Sequence, residues 1–179
     1  LVVPGKHPPA VIGTPDFIAP EVVMTTHLPK DDKNRKLPSR TTDLHALAVL
    51  IYMYLLYRHP LRGDKVHDQD DSQRDEELMM GAKALFVEHP TDKSNRIKSG
   101  NAKPSELPWK NTDRIPYGIT GPYLSALFER AFLEGLNDPS KRPSADEWET
   151  ALVKTVDLLQ PCENPACEQK WYAFDNSRA

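Results

Sequence analysis

Glycine is scarce in this chain, eight residues in 179 against seventeen prolines. That balance argues against a run of tight hairpins and for long, irregular, proline-stiffened connections. Long apolar runs are missing too. The most apolar stretch, Leu44 to Leu56, falls short of the roughly 20 residues that cross a bilayer, so no membrane partner is expected. There is no basic excess: 23 Lys and Arg stand against 26 Asp and Glu, a net charge of -3, and nothing points to nucleic acid. Two cysteines make no disulfide framework, and a reducing cytoplasm is the expected location. Leu1-Val2-Val3-Pro4 lacks the charged start and apolar core of a secretory signal. It also lacks an initiator Met, as a fragment or processed chain would.

What is present fits one soluble globular domain, with 39% hydrophobic and 27% charged residues. Residues 1–12 read as extended, because Pro4, Pro8 and Pro9 disfavour helix. Pro20 suits the first turn of a short helix through Met24. Lys30 to Arg40 reads as a solvated charged loop. Thr41 or Thr42 is expected to cap a helix in which Asp43 meets the positive dipole end. From Leu44 to Leu56 apolar residues cover every side, which predicts a buried central helix.

Glu76 to Phe86 reads as another short helix, and Pro90 to Pro108 as irregular. Tyr123, Leu124, Leu127, Phe128, Ala131 and Phe132 recur at helical spacing, with Thr120 as the expected cap. Asn137 to Ser140 breaks that helix. Ser144 and Glu147 form a capping-box pattern for a last helix. Its expected core stripe is Trp148, Leu152, Val156 and Leu159.

Four strings carry a resemblance. Gly13-Thr14-Pro15-Asp16-Phe17-Ile18-Ala19-Pro20-Glu21 resembles the end of a protein-kinase activation segment. Asp43 opens an apolar helix about two dozen residues later, as in that family's C-lobe. His59-Pro60-Leu61 follows the helix, similar to the family's Pro-Phe. Asp138-Pro139-Ser140-Lys141-Arg142-Pro143-Ser144 resembles its late Asp-Pro-x-x-Arg-Pro-Ser/Thr. Their order matches, over about residues 11–160. The stretches 59–67 and 84–92 look like bacterial kinase-like proteins found with stress and tellurite-resistance systems.

The resemblance implies a mainly α fold: a kinase-like C-lobe helical bundle around a buried central helix, with the N-lobe absent. Residues 1–160 would be a partial kinase domain and 161–179 a C-terminal tail. The whole parent would transfer the γ-phosphoryl group of ATP, with Mg²⁺, to a Ser or Thr of a protein substrate. Thr14, Pro15 and Phe17 would position that substrate. Glu21 would pair with Arg142, and Asp43 would accept backbone N–H groups of the catalytic loop. Between Leu1 and Gly13 stands no Ser, Thr or Tyr, so phosphorylation of that stretch cannot order it.

The chain has no glycine-rich phosphate loop, no Val-Ala-x-Lys, no His-Arg-Asp and no Asp-Phe-Gly. Phosphoryl transfer needs those groups, so these residues alone are expected to be inactive, awaiting the missing N-lobe or another upstream polypeptide. A non-catalytic docking module built on a pseudokinase, or an unrelated helical adaptor, are the rival readings. Cys162 and Cys167 have zinc-ligand spacing and look like the first half of a zinc ribbon. They would bind Zn²⁺ if the chain continues; free thiols are the alternative. His67 and His89, with Asp68 or Asp92, read as surface residues rather than a metal site.

Overall fold

The computed structural model describes residues 14–66, 72–97, 115–167 and 170–174. They form a mainly helical body with one small hairpin. In order come α1 (Pro20–Val23), α2 (Arg40–Leu56), α3 (Ser72–Met79), α4 (Gly121–Glu129), α5 (Ala145–Asp157), β1 (Leu159–Pro161) and β2 (Trp171–Ala173). A π-helical turn at Arg130–Glu134 extends α4. No described helix is long and apolar enough to cross a membrane. His67, Asp68, Trp109 and the expected extended segment 1–12 lie outside the described residues.

Helix α2 starts earlier than the sequence suggests. Ser39, not Thr41 or Thr42, is its N-cap, and Thr42 at the third helical position closes a reciprocal capping box with it. The helix ends where Tyr57 adopts a left-handed conformation, φ 54°. Tyr52 is fully buried and sits among the rings of Phe86, Phe128 and Phe132, at 5.8, 5.1 and 6.1 Å between centroids. Trp148 of α5 packs on Phe128 at 4.9 Å.

The expectation that α2 is buried on every side is corrected. Leu50 is 53% exposed and Tyr54 80%. They lie one turn apart on one face, while Ala48, Val49, Tyr52 and Leu56 face the core. Helix α3 ends at Met79, and the Gly81 N–H closes its last turn on Glu77 O at 3.1 Å. The helix expected from Glu76 to Phe86 therefore lies earlier.

Helix α4 begins after Thr120, but the Thr120 hydroxyl donates to Tyr117 O at 2.7 Å and does not cap it. Tyr123 is exposed, whereas Leu124, Phe128, Ala131 and Phe132 are buried. Ser144 and Glu147 do form the capping box of α5. Of that helix's expected stripe, Trp148 is buried but Val156 and Leu159 are exposed; Ala151 and Thr155 complete the buried side. The boundary expected at residue 160 falls inside β1, because β1 and β2 pair antiparallel in the register Leu159 with Ala173 and Pro161 with Trp171.

Candidate functional site

The segment Thr14 to Glu21 is held in both halves by residues far away in sequence. Pro15 to Phe17 makes one 3-10 turn, closed by the Phe17 N–H on Thr14 O at 3.0 Å. Thr14 itself is exposed. Phe17 packs against the main core, and Ala19 and Pro20 are buried. Pro20 starts α1, where its missing N–H has no helical acceptor to lose.

His59, just beyond α2, anchors the first half of the segment. Its Nδ1 accepts the Leu61 N–H at 3.1 Å, so Nε2 carries the proton and donates to Asp16 O at 2.9 Å. Burial presses its pKa down to about 4, against a raising effect from the Asp16 carbonyl. Asp16 is also paired with Arg62 at 2.9 Å, a contact about one-third exposed on each side. The sequence names His59 and Arg62 only as parts of strings, with no role for either. The available signal was a His-Pro pair directly after the longest apolar helix.

Arg142 anchors the second half. Asp138 accepts the N–H and hydroxyl of Ser140, at 3.0 and 2.6 Å, and so folds the 3-10 turn Pro139–Lys141. Those two bonds hold the Asp138 carboxyl below its ordinary pKa. Arg142 leaves that turn extended and runs into the body. Its two terminal nitrogens meet the two Glu21 carboxylate oxygens, both at 2.7 Å. The same guanidinium donates to Thr41 O, Gly135 O and Leu136 O. Gly135 leaves room for it: a Cβ there would stand 3.0 Å from Arg142 Cγ. The Arg142 side chain is 1% exposed and that of Glu21 18%.

Glu21 and Arg142 thus meet, and Thr14 and Phe17 share one turn. Asp43 is exposed in the first turn of α2, and no described residue hydrogen bonds its carboxylate. Only the neighbouring Thr41 carbonyl reaches Arg142. Pro15 opens the 3-10 turn.

A second polar cluster went unread in the sequence. The Glu88 carboxylate is bridged by Arg58 and Arg96, each at 3.0 Å, and Arg58 also donates to Ile115 O at 2.6 Å. His89 uses Nδ1 to accept the Asp92 N–H at 2.9 Å, a loop-closing role. Cys162 and Cys167 sit in the loop between β1 and β2, and no disulfide joins them. Among the described residues no three His, Cys, Asp or Glu side chains cluster as a metal site.

The geometry can fix a backbone segment rigidly and present Thr14 on its outer side. Among the described residues it gathers no nucleophile and base. No protein-family model, curated protein or solved structure gives a significant match to the chain.

Proposed function

We propose that this chain is the substrate-facing helical lobe of a Ser/Thr protein-kinase-like domain. The whole domain would transfer the γ-phosphoryl group of ATP, with Mg²⁺, to a protein hydroxyl. One observation carries the reading: the bidentate Glu21–Arg142 pair. It joins the Gly13–Glu21 string to the Asp138–Ser144 string across 121 positions. Each string separately resembles the kinase pattern, and that resemblance implies an ion pair between them. On this reading Thr14 stands beside the phosphoacceptor, and Pro15 to Ala19 form the shelf for the residue that follows it.

ATP and Mg²⁺ would be held by polypeptide other than these 179 residues, which contain no phosphate loop and no metal-binding Asp-Phe-Gly. The bound protein substrate would meet this lobe at Thr14. The exposed Asp43 would take its hydrogen bonds from the same outside polypeptide.

Two measurements test this. Calorimetry of the chain alone with Mg-ATP is expected to show no binding, and micromolar affinity would overturn the division of labour. The full gene product, supplied with labelled ATP and Ser- or Thr-containing peptides, is expected to transfer label. Thr14→Val should lower its kcat/KM by at least tenfold. A full-length product that lacks a catalytic Asp and transfers nothing would replace this reading with the docking-module one.

A further inference from the structure

We propose that Asp16 makes the shelf selective for charge: its carboxylate favours a substrate with Lys or Arg directly after the phosphoacceptor. This rests on the reading above, in which Pro15 to Ala19 meet that residue. Asp16 is the only charged residue from Thr14 to Pro20. Phe17 packs against the main core and Ala19 is buried, so neither offers an open apolar pocket. The Asp16 carboxylate stays about one-third exposed.

Asp16 is fixed at two points and open at a third. His59 Nε2 donates to its backbone carbonyl at 2.9 Å, and Arg62 Nη2 donates to its Oδ1 at 2.9 Å. Arg62 is itself anchored, its Nε donating to Sδ of the buried Met79 at 3.1 Å. Asp16 Oδ2 takes no hydrogen bond from any described residue. A carboxylate held this way is oriented before a ligand arrives, so little ordering remains to be done on binding. Its second oxygen can take a second cation without releasing the first. Glu88 in the same molecule does so, with Arg58 on one oxygen and Arg96 on the other, each at 3.0 Å.

Discrimination comes from both signs of interaction. An apolar residue here would strip water from two charges and give no hydrogen bond in return. An acidic residue would face the Asp16 carboxylate. Of the pair, only that carboxylate stands on the shelf's own backbone; Arg62 reaches it from the segment after α2. The contact is open to water, so the preference is modest, about fivefold.

The test uses the full gene product with labelled ATP and three peptides that differ only in the residue after the acceptor Ser: Lys, Glu or Leu. The Lys peptide is expected to give the highest kcat/KM, by about fivefold. Asp16→Asn should bring the Lys and Glu peptides within about twofold of each other, whereas a merely structural loss would lower all three alike. Arg62→Gln should keep the Lys preference or raise it, because it removes the competing cation. It also supplies a second reading if Asp16→Asn does not fold. A preference for Glu that disappears in Arg62→Gln would make Arg62 the reader and overturn the proposal. Equal rates, or a preference for Leu, would overturn it as well, and all three results leave the kinase reading standing. Transfer to none of the peptides would overturn the kinase reading, and this inference with it.

Discussion

Arg142 places all five of its guanidinium N–H groups on protein acceptors, two of them on Glu21. A buried charge so completely matched is costly to break from either side, since the partner left behind stays desolvated. Arg142→Ala should destabilise the chain by about 3–5 kcal/mol. Glu21→Ala should cost less, because part of its carboxylate reaches water. Arg142→Lys should not rescue, since an ammonium cannot fork onto two carboxylate oxygens. Urea unfolding of both single variants and the double variant should give a coupling of about 0.5–3 kcal/mol. Additive losses would sink the pairing.

Acid should loosen the first half of the same segment. His59 titrates near pH 4 in the folded chain, against 6.5 as its ordinary value. His45 is buried in α2 and is pressed lower, to about 3, by desolvation and then by Arg142. Between pH 6.5 and 4 the unfolded chain binds protons that the folded chain refuses, so stability falls as pH falls. Each histidine contributes a slope of about 1.4 kcal/mol per pH unit in that window. The physical obstacle at His59 is direct: a proton on Nδ1 would face the Leu61 N–H it now accepts. Urea midpoints followed from pH 7 to 4.5 should drop, and His59→Gln should flatten the curve. A flat wild-type profile would show that neither histidine is buried neutral.

Helix α2 gives a contrast between two leucines. Leu56 is fully buried, and Leu56→Ala should cost about 2–5 kcal/mol. Leu50 stands in solvent on the opposite side, and Leu50→Gln should change stability by no more than about 0.5 kcal/mol. Thermal unfolding of the two variants checks both. A large loss at Leu50 would mean that its face is covered.

These helices were legible in outline because their apolar content and caps are local properties. Ser144 and Glu147 three residues on could mark only one helix start. The sides of the helices were less legible. In α2 every face carries apolar residues, so composition could not say that Leu50 and Tyr54 point outward. In α5 steps of four residues drift around the helix, so Val156 lies about 80° from Trp148, whereas Thr155 lies only about 20° away. The smaller and more polar residue is therefore the buried one. Glu21 and Arg142 could be paired from the sequence because each lies in a recognisable string. His59 on the Asp16 carbonyl could not, because that contact depends on where the 3-10 turn comes to rest. Arg58, Glu88 and Arg96 carried no local signal either.

Gly121 ties the hairpin to the helices and should tolerate no side chain. Its backbone, φ 65° and ψ -178°, lies in a region that is essentially glycine-only. An added Cβ would also stand 2.9 Å from the Cβ of Ala173. The two penalties separate. Gly121→Ala should cost about 1–3 kcal/mol in backbone strain and more from the collision. Adding Ala173→Gly should remove the collision but leave the strain, so stability should recover only in part. Amide exchange should locate the damage: the β1–β2 pairing should lose protection first, while Val49 and Tyr52 in α2 stay protected. Full recovery in the double variant would mean that the backbone at residue 121 is not strained, and uniform loss of protection would mean that the hairpin does not open apart from the helices.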